Sequence, residues 1–188
     1  MPVPPPDALG PLAGLIGTWE GADGLDVSYH NENGVVGETT YRERVEMKPF
    51  GPVDNGVQCL YGLDYRMAAW RLDEDEPFHT EVGYWLWDAE HLQVMRCFMV
   101  PRGSVLIAGG PATPDATRFT MSAQLGSSTY GILSNLYLDE KARTTAFEVT
   151  IELGDGTWSY DETTTVDLSA TGATMAHTDR NTLKRIGD

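Results

Sequence analysis

Residues 175–185, MAHTDRNTLKR, are the most informative segment of this chain. Read with the two-residue period of a β-strand, the segment has one polar face, formed by Thr178, Arg180, Thr182 and Lys184. Its other face carries Met175, His177, Asp179, Asn181 and Leu183. An imidazole, a carboxylate and an amide between apolar residues are unusual in a packed core and suit a ligand cavity. The pattern predicts a strand whose inner face lines a binding cavity.

Similar strand-like segments fill most of the chain. Runs rich in Thr, Val, Tyr, Trp and Phe alternate with Gly, Asp, Asn and Pro, which is typical of antiparallel strands joined by turns. The clearest hairpin turn is Gly154-Asp155-Gly156. Residues 125–139 are predicted to form a long loop. The predicted strands number ten and cover residues 17–28, 37–48, 56–69, 77–87, 91–99, 103–110, 116–125, 143–153, 157–168 and 174–185.

We therefore predict an all-β fold, an up-and-down antiparallel barrel of about ten strands. A barrel of this strand number is wide enough to enclose an internal cavity. An open sandwich with a packed core would show the same strands and turns, so it remains an alternative. Residues 1–8 are predicted to be a Pro-rich tail and 9–188 a single barrel domain. A short helix is expected from Leu9 to Ile16, with Asp7 as its N-cap and Gly17 ending it.

Composition excludes several classes of partner. The chain has 28 acidic residues against 13 Lys plus Arg, a formal charge of −15, which would repel nucleic acid and anionic membranes. No apolar run approaches the roughly 18 residues of a membrane span, and the N-terminus lacks the pattern of a secretory signal. Cys59 and Cys97 are too few for a disulfide scaffold. We expect a cytoplasmic protein, monomeric or homodimeric, with reduced thiols.

Two of the four histidines are candidates for chemistry. His79 shares a strand face with Glu81, and it is predicted either to form a surface salt bridge with that residue or to face the cavity. His177 is predicted either to be a core imidazole, hydrogen-bonded to Asp179 or a backbone carbonyl, or to act in the cavity. Together the two could coordinate a metal or haem, or serve as acid and base. His30 and His91 lie in polar turns and are predicted to be solvated.

The common catalytic and cofactor motifs are missing from the sequence. There is no CxxC pair for a structural zinc, no GxSxG elbow, no Walker loop and no GxGxxG before a helix. Thioethers near aromatic rings can line an adaptable apolar pocket, which favours an apolar or flat aromatic ligand. The residues of this kind in strand-like segments are Met95, Phe98, Met99, Met121 and Met175.

Three motifs resemble a known family. Residues 14–21, GLIGTWEG, resemble the GTWxG opening of the nitrobindin-like haem-binding β-barrels, which are also described as fatty-acid-binding-protein-like and are related in shape to lipocalins. Residues 79–84, HTEVGY, resemble the HxExGY segment of that family, and 177–183 occupy the place of its histidine-bearing closing strand. The three motifs occur in the family's order and cover nearly the whole chain.

The resemblance implies a fold, a cofactor and an activity. It implies a ten-stranded antiparallel barrel with a short N-terminal helix and a bound haem b. His177 would then be the iron ligand and His79 a distal or haem-edge residue, while Thr18, Trp19 and Met175 would be further cofactor-binding residues. The resemblance also implies that haem in such a barrel reacts with nitric oxide and can isomerise peroxynitrite to nitrate. Whether the chain is a haem-dependent peroxynitrite isomerase is left open by the sequence.

Two other functions remain as alternatives. A carrier without a metal could hold a fatty acid or another small hydrophobic molecule. In that case His177, Asp179 and Asn181 would grip a head group, and Arg96 or Arg102 would pair with a carboxylate. An enzyme acting on a small organic substrate could instead use His79 and Glu81 as acid and base.

Overall fold

The computed structural model describes residues 3–187, in which eleven strands close into a barrel that follows a short 3-10 helix. The helix is η1, Pro6–Leu15, and a second helix, α1, is Leu136–Lys141. The strands are β1 Gly17–His30, β2 Val35–Asp54, β3 Cys59–Arg71, β4 His79–Asp88, β5 Gln93–Val100, β6 Ser104–Pro111, β7 Arg118–Leu125, β8 Gly131–Ser134, β9 Ala142–Gly154, β10 Thr157–Leu168 and β11 Ala173–Gly187.

Each strand pairs with at least two others, and the last strand pairs with the first. The order around the barrel is β1-β11-β10-β9-β7-β8-β6-β5-β4-β3-β2. The closed ring confirms the predicted barrel and overturns the alternative of an open sandwich. Three details of the prediction were wrong. The strands number eleven rather than about ten, β7 pairs with β8 in parallel, so the sheet is not wholly antiparallel, and β8 lies between β6 and β7, so the order is not strictly up-and-down.

The additional strand lies in the segment predicted to be a long loop. β6 and β7 pair directly at Gly109 and Ser122, and β8 fills the gap between them, antiparallel to β6 and parallel to β7. The ring of Tyr130 packs over Gly109, where a Cβ atom would lie 2.3 Å from a ring carbon. The four-residue strand and the six-residue α1 are too short for a periodic pattern to reveal them.

The 3-10 helix plugs one end of the barrel. It begins at Pro6, three residues before the predicted start, and Asp7 lies in its first turn rather than capping it. Proline suits this first position because its φ angle is already helical. The helix buries three leucines, and Trp19 Nε1 donates a hydrogen bond of 2.8 Å to the carbonyl of Leu15. Gly17 lies between Leu15 and Trp19 and has a φ of 125°, a value that favours glycine. The Gly-Thr-Trp opening therefore makes the turn from the helix into β1, and the Trp19 hydrogen bond holds the two elements together.

Along β10 and β11 the lumen changes from apolar to polar from the plugged end outward. Near the plugged end the indole of Trp158 packs edge-on against Trp19 and Trp85, with ring centroids 6.5 and 6.4 Å apart. Farther from the helix, charged and hydroxylated side chains replace the indoles. We call the end away from the helix the open end. Among the described residues, neither helix is long and apolar enough to span a bilayer.

Candidate functional site at the open end

His177 lies on the lumen face of β11 at the open end, with 33% of its side chain exposed. Its Nε2 atom is 2.5 Å from Asp26 Oδ2 and 2.9 Å from Asp179 Oδ2. The predicted hydrogen bond between His177 and Asp179 is therefore confirmed, and Asp26 is a second partner that the sequence did not indicate. Nδ1 has no hydrogen-bond partner in the part of the chain that the structure describes.

Asp26 reaches the lumen because of a β-bulge. Strict alternation from the buried Trp19 would place Asp26, seven residues later, on the outer face. The register between β1 and β2 shifts between Gly21 and Gly24, and such a shift reverses the faces that follow it. Asp26 is consequently buried, with 6% of its surface exposed, and it pairs directly with Asp179 across the β1–β11 ladder.

The two carboxylates hold the imidazole as a cation. Burial disfavours the charged ring, but hydrogen bonds to Asp179 and Asp26 outweigh it and raise the pKa of His177 to about 10. Burial alone would raise the pKa of Asp26, yet the bond from His177 lowers it. Burial raises the pKa of Asp179. One ligand atom from each residue lies within 4.8 Å of the others, so the three could also hold a divalent ion.

His79 lies on β4 at the same end. Its Nε2 is 3.2 Å from Glu81 Oε1, which confirms the predicted pairing, although Glu81 is buried rather than at the surface. Burial opposes protonation of His79, but the contact with Glu81 dominates and raises the pKa of the imidazole. The positive charge of His79 in turn favours the ionised form of Asp179, against the effect of burial on the pKa of that carboxyl. The two histidines identified from the sequence thus share one end of the lumen.

Below them, buried polar side chains cross the lumen. Arg96 Nη2 is 2.5 Å from Glu81 Oε2, and Arg96 Nη1 is 2.7 Å from Glu162 Oε2. Strands β5 and β10 lie on opposite sides of the barrel, so the second ion pair spans its interior. We call this layer the polar floor, made of Arg96, Glu81, Glu162, Tyr65, Tyr41, Tyr160, Glu43 and Asn181. The floor lies between two groups of buried apolar residues, the indoles toward the plugged end and, toward the open end, Phe98 and Phe147, whose rings pack against the Arg96 guanidinium.

The acids of the polar floor differ in their protonation. Burial opposes ionisation of Glu81, but the guanidinium of Arg96 outweighs it and holds the pKa of Glu81 at about 2. Burial raises the pKa of Glu43 and of Glu162 to about 7 each. Because both of its terminal nitrogens are engaged by carboxylates, Arg96 is not open to the ligand carboxylate of the carrier hypothesis. Arg102 lies in the exposed turn after β5.

Other predicted site residues lie elsewhere. Met175 is half-buried on β11, on the same strand face as His177. Thr18 and Trp19 begin β1 at the plugged end, so the structure does not bring them together with the two histidines. The glycine of the HxExGY motif has a packing role, because a Cβ at Gly83 would lie 2.0 Å from the backbone oxygen of Cys97.

Two grooves are found on the outer surface of the barrel. The larger, about 590 Å³, runs along β9, β10 and β11, and the smaller, about 410 Å³, lies beside α1. His177 and His79 line neither groove. Neither groove is the internal cavity that the sequence predicts, and that cavity stays a prediction.

Comparison with known proteins identifies the family. The model of the THAP4-like, heme-binding beta-barrel domain matches residues 8–185. The chain belongs to this family. The crystal structure of Rv2717c from M. tuberculosis is similar to the THAP4-like barrel described here, with a TM-score of 0.68 and 18% identity over 98% of this chain and 99% of that one. At that identity the likeness shows the fold. A search of curated proteins found no match.

The donor set at the open end fits the cofactor of the THAP4-like family. A metal-bound histidine characteristically donates its second ring N–H to a carboxylate, and a single histidine is a common axial ligand of haem. His177 combines these features, since Nε2 is held by Asp26 and Asp179 while Nδ1 has no partner within residues 3–187. Its one-third exposure makes it accessible from the open end.

Proposed function

We propose that this barrel binds haem b at its open end, with His177 as the iron ligand. The observation that carries the proposal is the state of His177, a partly exposed lumen-facing imidazole with one nitrogen fixed by two carboxylates and the other without a protein partner. Membership of a heme-binding family supports the choice of cofactor. The polar floor limits how deeply a ligand enters, because Arg96 and Glu162 cross the lumen beneath this site.

Asp26 and Asp179 act as positioning residues in this proposal. Their oxygens fix the plane of the imidazole and accept its Nε2 proton, which makes the ring a stronger electron donor at Nδ1. Ligation requires the uncharged ring, so His177 loses one proton when it binds metal. The two carboxylates keep the remaining proton on Nε2.

When bound, haem would supply an iron centre able to react with nitric oxide and to isomerise peroxynitrite to nitrate, as the nitrobindin resemblance implies. His79 holds a proton at the same end of the lumen as His177, because its contact with Glu81 raises the pKa of the imidazole. A protonated His79 can donate a hydrogen bond to an anion that enters the open end. The carrier alternative has less support, since Arg96 is already paired with Glu81 and Glu162.

A haemin titration tests the proposal. We expect the wild type to give a saturable, stoichiometric shift of the haem absorption band, and His177→Ala to abolish it. His91→Ala is the matched control, because His91 is an exposed histidine bonded to Asp88 at the plugged end. It should titrate like the wild type. The absence of a saturable shift in the wild type would overturn the proposal.

A further inference from the structure

Three side chains that meet where β1 pairs with β11 have the spacing of a metal-ligand set. We call Asp26, His177 and Asp179 the seam triad. One ligand atom from each lies within 4.8 Å of the others, and His177 Nε2 is 2.5 and 2.9 Å from the two Oδ2 atoms. Zinc binds imidazole nitrogen and carboxylate oxygen at about 2.0 to 2.2 Å, so shifts of about 1 Å bring these donor atoms around one ion.

The two carboxylates of the seam triad face each other across the barrel seam. Asp26 pairs directly with Asp179 in the β1–β11 ladder. Like charges directly opposite on neighbouring strands destabilise a sheet, so this pair needs a cation between its members. Among residues 3–187 neither carboxylate forms an ion pair with a lysine or arginine, and His177 is the cation that both contact.

The charge balance of the seam triad favours a divalent ion. A protonated His177 leaves one excess negative charge on the two carboxylates, whereas a divalent ion with a neutral ring leaves none. The other cations at this end are committed to the polar floor, because His79 contacts Glu81 and Arg96 bridges Glu81 and Glu162. The formal charge of −15 on the whole chain also draws cations toward it.

A neighbouring hydroxyl orients one of the carboxylates. Ser28 Oγ donates a hydrogen bond of 2.6 Å to Asp26 Oδ1, and Oδ2 of the same carboxylate faces His177. Such a bond to the second oxygen is typical of carboxylates that bind metals. Three protein ligands with one open side are the pattern of zinc sites that keep a position for water. Imidazole combined with carboxylate suits zinc and similar transition metals better than magnesium or calcium.

We propose that the seam triad binds a divalent transition metal of the zinc type through His177 Nε2, Asp26 Oδ2 and Asp179 Oδ2. The ion displaces the Nε2 proton to solvent, and the ring keeps its other proton on Nδ1. Haem bound at Nδ1 needs the ring proton on Nε2, so the two metals require opposite tautomers of one imidazole. Each should therefore hinder binding of the other. The antagonism rests on the proposed haem function, and the metal site itself does not.

Calorimetric titration of the haem-free protein with Zn²⁺ tests the site. We expect one ion per chain, and a loss of affinity of at least about tenfold in Asp26→Asn and in Asp179→Asn, since even residues that only orient a ligand cost that much. Asp75→Asn, an exposed change in the acidic loop before β4, is the matched control and should bind like the wild type. Absence of saturable binding, or equal affinity in all three variants, which indicates adventitious binding to surface acids, would overturn the proposal.

Nitrogen NMR of the histidine rings tests the site without any substitution. Zn²⁺ should shift the Nε2 resonance of His177 to a metal-bound position and leave a proton on Nδ1. The ring of His91, exposed and bonded to Asp88 at the plugged end, should not change. An unchanged His177 spectrum in protein saturated with Zn²⁺ would overturn the proposal.

A haemin titration with and without Zn²⁺ tests the antagonism. With free Zn²⁺ at about 100 times its dissociation constant, competition lowers the apparent haemin affinity by about 100-fold. Unchanged haemin affinity in protein saturated with Zn²⁺ would overturn the tautomer scheme. If haemin fails to bind even without Zn²⁺, the proposed haem function is wrong, and the calorimetric titration decides the metal site alone.

Discussion

His177 and Asp26 are separated by 151 positions in the chain, yet Nε2 of the histidine lies 2.5 Å from Oδ2 of the aspartate. Asp26 is on the first strand and His177 on the last, so the contact lies on the seam where the barrel closes. Closure of the fold therefore assembles the candidate iron ligand with its positioning carboxylate.

Removing the carboxylates that hold His177 should weaken haem binding. We expect Asp26→Asn and Asp179→Asn each to reduce haemin affinity by about 10 to 100-fold, the usual cost of losing a hydrogen-bond partner of a metal ligand. The measurement is a haemin titration followed by absorption. Asp161→Asn, an exposed change on β10, is the control. Unchanged affinity in both of the first two variants would contradict the role assigned to Asp26 and Asp179.

The buried carboxyl of Glu43 should make stability depend on pH. Burial raises its pKa from 4.5 to about 7 in the folded protein. Between these values the unfolded chain loses the proton first, so stability falls as pH rises and the full penalty applies above about pH 7.

Glu43→Gln should remove that penalty because the amide oxygen can still accept from Tyr160 and Asn181. We expect the variant to exceed the wild type in unfolding free energy by about 3 kcal/mol near pH 8 and to lose this advantage near pH 4. Urea unfolding at both pH values measures the difference. Glu38→Gln, at an exposed position of β2, is the control. An equal effect of Glu43→Gln at both pH values would contradict the ionisation scheme.

Arg96 should be essential to the polar floor. Arg96→Met leaves Glu162 buried without its cation and Glu81 with His79 alone, and loss of one partner from a buried ion pair costs about 3 to 5 kcal/mol. Arg118→Met removes an arginine whose pair with Glu152 is exposed on the outer wall, and it should cost at most about 1 kcal/mol. Denaturant unfolding compares the two variants. Equal losses of unfolding free energy in the two variants would contradict the claim that the buried ion pairs of Arg96 stabilise the fold more than the exposed pair of Arg118.

Gly83 should tolerate no side chain. A Cβ atom there would lie 2.0 Å from the backbone oxygen of Cys97, so Gly83→Ala must separate β4 from β5. We expect a lower unfolding midpoint and faster amide exchange in these two strands. Gly156→Ala provides a contrast, since nothing lies within 4 Å of a Cβ at that turn and its cost comes from a φ of 65° alone. If Gly83→Ala were the milder change, the packing explanation of the motif would be wrong.

The sequence predicted those features of the fold that depend on the alternation of apolar and polar residues and on turn-forming residues. Period-two patterns located ten of the eleven strands, and the three motifs indicated the family. Local patterns do not reveal a bulge, so the inward orientation of Asp26 was missed. They also do not show which strands face each other across a closed ring. The contact between Arg96 and Glu162, 66 positions apart, follows from barrel closure and could not be predicted from either strand.

The most direct test of the central claim is chemical rescue of His177. His177→Gly should fail to bind haemin on its own and should recover the wild-type absorption spectrum when free imidazole supplies the missing ligand. His91→Gly should bind haemin without imidazole. If His177→Gly bound haemin with the wild-type spectrum and affinity in the absence of imidazole, His177 would not be the iron ligand.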